Sequence, residues 1–194
     1  DDDQNGYIDD IHGWDFINNN GYPVDYDQHG THVAGIIAAK GNNGTGISGV
    51  MWSGRIMPLR FLGVSGSGDV AKAAEAIEYA ADNGARIINA SWGGNDYSST
   101  LYNAIEYARQ KNVLVVAAAG NETMNNDIDA FYPASFSLPN IISVAATDQN
   151  DSIAYFSNFG ATSVDVGAPG VSIYSSVPVF SYGDPVTIYS ENFD

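Results

Sequence analysis

Val113-Leu114-Val115-Val116-Ala117-Ala118-Ala119 is a continuous apolar run in the second half of a 194-residue chain. Such a run is typical of a parallel strand that is covered by helices on both faces. On either side, amphipathic stretches alternate with further short apolar runs. We therefore predict an α/β fold, with a mostly parallel sheet and helices on both faces in three layers. The predicted helices span 69–82 and 98–110, and the predicted strands 55–64, 85–92, 113–119, 140–147, 171–174 and 186–189.

Composition limits the classes of function that this chain can have. Hydrophobic residues make up 44% of it and aromatic residues 12%, enough for one sizeable core. Its 23 acidic and 7 basic residues give a net charge of −16. Nucleic acids and anionic membranes are therefore unfavourable partners, because the long-range electrostatic force would be repulsive. No stretch approaches the roughly 20 apolar residues of a membrane-spanning helix, and without cysteine the chain has no disulfide framework.

A second informative stretch is His29-Gly30-Thr31-His32-Val33-Ala34-Gly35, which begins a segment with apolar residues at helical spacing. We predict that His29 lies at a helix N-terminus facing a cleft, and that Gly41 adopts the left-handed conformation just past the helix. A histidine titrates near neutral pH, so it can accept a proton from a nucleophile and return it to a leaving group. Zinc binding by the two histidines is an alternative, but the glutamate of the His-Glu-x-x-His pattern is missing. His32 and His12 fit structural roles.

This heptapeptide resembles the active-site histidine segment of the subtilisin-like serine proteases. The resemblance extends in unbroken order from about Gly13 to Ser176. It implies a subtilisin-like fold, here truncated, with His29 as general base. The other matching blocks are Gly66-Ser67-Gly68, Ser91-Trp92-Gly93-Gly94, Ala118-Ala119-Gly120-Asn121 and Gly167-Ala168-Pro169-Gly170.

Each of those blocks has an implied role. The resemblance makes Asn121 the oxyanion donor, and the segments 66–68 and 91–94 the two edges that pair with an extended substrate. Glycines beside a cleft let a substrate backbone approach as an added strand, which implies a broad-specificity endopeptidase that acts on proteins or peptides. Asn121 also follows a predicted parallel strand, where α/β sheets place ligand sites. Its alternative role is to cap a strand-to-loop turn. The block 167–170 resembles the turn before the nucleophile.

The chain does not offer the other two catalytic groups that the resemblance implies. Subtilisins carry them in the order Asp, His, Ser. No Asp-Thr-Gly-like strand end precedes His29, and no Gly-Thr-Ser-x-Ala segment follows Gly170. We assign neither Asp15 nor Asp27 as the acid, and we reject Ser163 because it leads into a predicted strand. We therefore expect an internal fragment of a secreted protease, inactive alone, with a partial peptidase domain at 1–176 and the start of a β-rich segment or inserted domain at 177–194.

The Asp-rich N-terminal segment predicts a structural calcium ion. Asp1-x-Asp3-x-Asn5-Gly6-Tyr7 matches the first half of an oxygen-ligand loop, with glycine at the sixth position where the chain turns sharply. The twelfth position is His12 rather than glutamate, so Asp9 or Asp10 would close a shorter loop. The family resemblance adds Asn43 as a calcium-loop position. A solvated acidic turn is the alternative. The candidate ligands are Asp1, Asp3, Asn5, Asp10 and Asn43.

Two other functions stay open. Gly66-x-Gly68-x-x-Ala71 follows a predicted strand and begins a helix, as in a dinucleotide-binding fingerprint, but the next strand does not end in an acidic residue. The second alternative is a non-catalytic, calcium-stabilised peptide-binding module that has lost the catalytic triad. Because a truncated protease and such a module share this sequence pattern, only the flanking residues distinguish them.

Overall fold

The computed structural model describes residues 4–179, and that part of the chain contains nine regular elements. Contacts divide the described residues into two compact units, residues 4–72 with 174–179, and residues 73–173. In chain order the elements are β1 (Trp14–Asp15), α1 (His29–Ala38), β2 (Leu59–Arg60), α2 (Val70–Asp82), β3 (Ile87–Ala90), α3 (Ser99–Gln110), β4 (Leu114–Ala118), β5 (Ile141–Thr147) and β6 (Val166–Pro169).

In the first unit a short parallel ladder joins β1 to β2, pairing Trp14 with Leu59 and Asp15 with Arg60. The Trp14 side chain is buried, and Tyr7 packs edge-on against it with ring centroids 4.9 Å apart. Asp15 is only 1% exposed, and its carboxylate accepts a hydrogen bond from Arg60 Nη1 at 2.6 Å. Since a buried carboxylate is tolerated only when paired, Asp15 ties β1 to β2.

The second unit is built on a parallel sheet with strand order β3-β4-β5-β6. Val115 and Ala117 of β4 are fully buried, and α3 packs on this strand. The alternate residues of β4 are only half-buried. Within the described residues, one face of β4 is therefore fully buried and the other is half-buried.

The helices predicted at 69–82 and 98–110 are confirmed to within one residue. Asn83-Gly84 ends α2 as expected, since Gly84 has φ 83° and the Ala85 N–H donates to the Ala80 carbonyl at 3.0 Å. At the start of α3, the Ser98 hydroxyl caps the helix by accepting the Leu101 N–H at 3.3 Å. Local cap chemistry thus sets these boundaries.

Several predicted strands are shorter than expected, or absent. The stretch 55–64 forms only the two-residue strand β2, and residues 85–92 only β3. Gly167 to Pro169 belong to β6, paired with β5, rather than to a turn. The predicted strand at 171–174 is a bend followed by irregular chain, and 186–189 lies outside the described residues. Strand bounds depend on the partner strand, which the local sequence does not carry.

Gly41 does not have the predicted left-handed conformation. Helix α1 ends at Ala38, and the following residue, Ala39, has φ −58°. Gly41 is instead needed for close packing, because a Cβ there would lie 2.7 Å from Cδ2 of Trp52. The domain boundary predicted between 176 and 177 stays a prediction. Among residues 4–179, no helix is long and apolar enough to cross a bilayer.

Candidate functional site

His29 is the first residue of α1, as predicted, and its side chain is exposed. The residue before it, Gln28, has the left-handed φ of 76° and supplies no side-chain cap. The first turn of α1 therefore requires an acceptor from elsewhere in the chain for its unpaired N–H groups.

Asp25 supplies that acceptor. Its Oδ1 accepts the N–H groups of Asp27 and Gln28 at 2.9 and 2.8 Å, and its Oδ2 accepts both the N–H and the hydroxyl of Thr31 at 2.7 Å. Burial of the carboxylate opposes ionisation, but these hydrogen bonds, first among them those from Thr31, outweigh it and lower the pKa of Asp25. A charged carboxylate at a helix N-terminus is also favoured by the helix dipole. Asp25 thus fixes the backbone on both sides of His29.

Asp25 was not singled out from the sequence. The available signal was the aspartate upstream of a helix start, combined with a threonine in the first helical turn. Ser175 and Ser176 hold the same turn, since their hydroxyls donate to the carbonyls of His32 and Thr31 at 2.5 and 3.0 Å. No local sequence signal links these serines to α1.

The predicted substrate edge Gly66-Ser67-Gly68 lies close to the His29 segment within the first unit. A Cβ on Gly66 would lie 3.7 Å from both carboxylate oxygens of Asp27, two positions before His29. The edge is also bonded internally: the Ser67 carbonyl accepts the Gly63 N–H at 2.8 Å, and a Cβ on Gly68 would lie 2.7 Å from the Phe61 carbonyl oxygen. The structure therefore brings these two predicted blocks together.

The other predicted edge, Ser91 to Gly94, follows β3 in the second unit. Gly94 and Tyr132 exchange two backbone hydrogen bonds, of 2.9 and 2.7 Å. A Cβ on Gly93 would lie 2.5 Å from the Tyr132 carbonyl oxygen. Internal packing thus requires glycine at 93, and a substrate strand would have to share Gly94 with Tyr132. Trp92 is half-buried here.

Asn121 lies in an exposed loop just beyond the carboxyl end of β4, and it belongs to the second unit. The preceding Gly120 has φ 116°, which glycine tolerates and other residues rarely adopt. The Asn121 N–H donates to Glu122 Oε2 at 2.8 Å. Loops at this end of parallel strands are where α/β folds place reactive groups.

Ser163, which we rejected as the nucleophile, lies beside Asp127. The Asp127 carboxylate accepts the N–H groups of Ala161, Thr162 and Ser163 at 2.8 to 3.1 Å. Hydrogen bonds from Ser163 and Thr162 strongly lower the pKa of Asp127. Successive N–H groups wrapped around one carboxylate form a structural turn.

The structure places only some of the predicted calcium ligands. Asn5 Nδ2 donates to Asp10 Oδ2 at 2.9 Å across a turn where Gly6 has φ 92°. Asn43 forms a turn of its own, in which its Oδ1 accepts the Thr45 N–H at 3.0 Å. Asp1 and Asp3 lie outside the described residues. Within 4–179 no cluster of three or more His, Cys, Asp or Glu side chains is arranged to hold a metal ion. One carboxylate and one amide fall short of the six to eight oxygens that calcium takes.

Comparisons with known proteins identify the family. Residues 1–191 match the Subtilase family, so the chain belongs to it. It is 50% identical over 167 residues to a thermophilic serine proteinase of Bacillus sp. strain AK1, covering 86% of this chain and 40% of that protein. It is 47% identical over 174 residues to thermitase of Thermoactinomyces vulgaris, covering 89% of this chain and 60% of thermitase. The chain thus spans roughly half the length of these relatives.

Solved structures agree on the fold. A protease from Pseudoalteromonas arctica matches with a TM-score of 0.67 and 39% identity, covering 73% of this chain and 43% of that one. A cold-adapted subtilisin-like serine proteinase matches with a TM-score of 0.72 and 32% identity, covering 85% of this chain and 57% of that one. The predicted subtilisin-like α/β fold is confirmed. Family membership also removes the dinucleotide-binding alternative, because Gly66 and Gly68 belong to a matched protease segment.

Proposed function

We propose that this chain is part of a serine endopeptidase that hydrolyses peptide bonds by a Ser-His-Asp mechanism, with His29 as general base and Asn121 as oxyanion donor. The observation that carries the proposal is the position of His29. It is exposed at the first residue of α1, on a turn that Asp25 fixes from outside the helix. A general base must be accessible to substrate and carried on a fixed backbone, and the exposure of His29 and the Asp25 hydrogen bonds around it support this role.

In the proposed reaction His29 accepts the proton of the serine hydroxyl as the oxygen attacks the substrate carbonyl, and then returns the proton to the leaving amine. The carboxamide of Asn121 donates a hydrogen bond to the carbonyl oxygen as negative charge develops on it. The acid and the serine come from parts of the full-length protein outside residues 1–194. The substrates are proteins or peptides in extended conformation, bound along the segments 66–68 and 91–94.

The proposal is tested by replacing His29 in the full-length protein. We expect His29→Ala to lower kcat by about 10⁶-fold, as loss of the base does in a subtilisin. His12→Ala is the matched control, because His12 is also an exposed histidine of the first unit. Its kcat should stay within about twofold of wild type. Peptide hydrolysis that survives His29→Ala unchanged would refute the mechanism.

The 194-residue chain alone provides a second test. We expect it to have no peptidase activity, because no serine after Gly170 lies in the Gly-Thr-Ser-x-Ala segment that carries the nucleophile. Activity of the purified chain that is lost on His29→Ala would refute that expectation. If the full-length protein is inactive but still binds extended peptides, the non-catalytic binding module is correct instead.

We further propose that the protein is secreted, as the family resemblance implies, and that calcium stabilises its N-terminal loop through Asn5 and Asp10, together with Asp1, Asp3 and Asn43. The Asn5–Asp10 contact supports a closed loop, while the remaining ligands lie outside the described residues or on a separate turn. A calcium chelator should lower the thermal midpoint of the full-length protein, and Asp10→Asn should reduce that effect. A midpoint that the chelator leaves unchanged would refute the calcium site, and detection of the protein only inside cells would refute secretion.

A further inference from the structure

The loop that carries Asn121 is held by a distant segment of the chain. Residues 119–124, which we call the Asn121 loop, are bonded to residues 155–159. The Asn158 N–H donates to the Gly120 carbonyl at 2.9 Å, the Thr123 N–H to the Phe156 carbonyl at 3.0 Å, and the Phe159 N–H to the Met124 carbonyl at 3.0 Å. The loop is therefore bonded to the rest of the second unit, although residues 121–123 are exposed.

The Asn158 side chain lies at the centre of this contact. It is fully buried, with 0% of its surface exposed. Its Oδ1 accepts the N–H groups of Glu122 and Met124 at 2.8 and 3.1 Å, and its Nδ2 donates to Asn126 Oδ1 at 3.1 Å. A carboxamide offers acceptor and donor groups in fixed directions, so one side chain fixes the main chain on either side of Thr123. Replacement by an apolar residue would leave two N–H groups in the loop without their acceptor.

Asn126 extends the contact to the start of the loop. Its side chain is only 4% exposed, and its Nδ2 donates to the Ala119 carbonyl at 2.8 Å. The two amides thus form a chain of hydrogen bonds that runs from Met124 and Glu122 through Asn158 and Asn126 to Ala119. Both ends of the Asn121 loop are held by the same pair of buried side chains.

Close packing of Gly120 against the Asn158 side chain also holds the loop. A Cβ on Gly120 would collide with Asn158 Nδ2 and would lie 2.6 Å from Glu122 Oε2. Gly120 therefore packs directly against the carboxamide, and its φ of 116° directs the chain into Asn121. The Glu122 carboxylate then accepts the Asn121 N–H at 2.8 Å. The backbone on the N-terminal side of Asn121 is therefore restrained by packing at Gly120 and by the hydrogen bond to Glu122.

We propose that Asn158, acting through Asn126 and Gly120, is a positioning residue that fixes where the Asn121 carboxamide points during catalysis. The inference rests on the proposed function, since it assigns a consequence to the orientation of Asn121. An oxyanion donor acts only when it is held at the place where charge develops, and a misplacement of about 1 Å can lower the rate by about 10²-fold. Asn158 touches neither substrate nor reacting atoms in this role.

The test is a double-mutant cycle in the full-length protein, with kcat expressed per titrated active site. Asn121→Ala should lower kcat by about 10²- to 10³-fold, as loss of one such donor does in a subtilisin. Asn158→Ala should lower kcat by about 10- to 100-fold with KM within about twofold of wild type. In the Asn121→Ala background, Asn158→Ala should cause no further loss, because the group that it positions is gone.

Asn140→Ala is the matched control. Asn140 is another buried asparagine of the second unit, and its Nδ2 donates to the carbonyls of Ile105 and Val113, away from the Asn121 loop. It should lower the thermal midpoint while leaving kcat per active site within about twofold of wild type. If Asn158→Ala does not fold, Asn126→Ala replaces it in the cycle, because that variant keeps the Asn158 bonds to Glu122 and Met124.

The outcomes separate the two proposals. If Asn121→Ala leaves kcat unchanged, the oxyanion role itself is wrong. If Asn121→Ala lowers kcat but the Asn158→Ala effect is fully retained in its background, the positioning role is refuted and the oxyanion role stands. If Asn158→Ala lowers the thermal midpoint but leaves kcat per active site unchanged, the positioning role is also refuted, since that is the result expected for a purely structural asparagine.

Discussion

The His29 turn and the Asn121 loop are held in place by opposite kinds of chemistry. The His29 turn depends on a half-exposed charged group, the Asp25 carboxylate, which accepts four hydrogen bonds from its own neighbourhood. The Asn121 loop depends on the buried neutral amides of Asn158 and Asn126, of which Asn158 lies far along the chain from Asn121. A charged acceptor can be lost by protonation, whereas an amide cannot. The Asp25 contacts, which we call the first support, should therefore stabilise the protein in a pH-dependent way. The Asn158 and Asn126 contacts, which we call the second support, should be sensitive to changes in side-chain volume and packing.

The largest stability effect that we expect tests the packing of the second support. Gly120→Ala should lower the free energy of unfolding by about 3 kcal/mol, because the new methyl group collides with the buried Asn158 amide. The thermal midpoint should fall by roughly 6–12 °C. Gly84→Ala is the control, since Gly84 also has positive φ but a Cβ there meets nothing within 4 Å. Its loss should be about 1 kcal/mol. Equal losses at the two positions would show that packing around Asn158 is loose.

A smaller, pH-dependent effect should identify the first support. Asp25→Asn should lower the free energy of unfolding near neutral pH by about 1 kcal/mol, since it removes the charged acceptor at the start of α1. The pKa of Asp25 is lowered in the folded state from its ordinary value of 3.8. Its stabilisation is therefore complete above that value and is lost as the pH falls through the folded pKa. Thermal unfolding of wild type and Asp25→Asn should show midpoints that converge as the pH falls below 3.8 and through the folded pKa of Asp25. A difference between the two midpoints that stays constant with pH would contradict a role for the charge of Asp25.

Thr31→Val should lower the free energy of unfolding by about 0.5–1 kcal/mol, because it removes one neutral hydroxyl donor to Asp25 at nearly constant side-chain shape. It should also raise the pKa of Asp25 toward its ordinary value, which is measurable by NMR titration. Thr162→Val is the comparison, since the Thr162 hydroxyl donates to the exposed carboxylate of Asp127 at 2.8 Å. If Thr162→Val lowered the free energy of unfolding more than Thr31→Val, the Thr31 hydroxyl would contribute no more to stability than an exposed hydroxyl does.

The smallest effect should come from an exposed ion pair outside both supports. Arg109 and Glu106 lie on the solvent face of α3, and hydrogen bonds from Arg109 lower the pKa of Glu106 to about 2. Exposed pairs are screened by water, so Glu106→Gln should shift the thermal midpoint by less than about 1 °C. If Glu106→Gln shifted the thermal midpoint as much as Asp25→Asn does, a lowered pKa at an exposed carboxylate would be as stabilising as the Asp25 contacts, and the comparison would fail.

Much of the fold could be predicted because its signals are local. The apolar run at 113–119 identified β4, Ser98 identified the start of α3, and Asn83-Gly84 identified the end of α2. The histidine heptapeptide likewise placed His29 at the start of α1. In each case neighbouring residues carry the hydrogen-bonding or packing requirement, so a short stretch of sequence is sufficient.

Predictions that depended on distant partners were less successful. The block 167–170 looked like a turn, but pairing with β5 makes residues 167–169 part of the strand β6. Gly41 looked like a helix terminator, but its packing against Trp52 explains the glycine instead. The substrate-binding role of Gly93 stays a prediction, and the contact of Gly93 with Tyr132 adds a packing reason for glycine that the sequence did not reveal. A glycine pattern does not reveal which neighbouring atom requires it.

The amino-acid sequence alone determined the family, the helices α1, α2 and α3, the strands β3, β4 and β5, and the candidate identities of His29 and Asn121, because local patterns and motifs encode them. Tertiary structure decided how those residues are held. Asn158 is separated from Asn121 by 37 positions (158 − 121), and Ser176 from Thr31 by 145. Hydrogen bonds between such distant residues form only when the chain folds, so no short pattern records them.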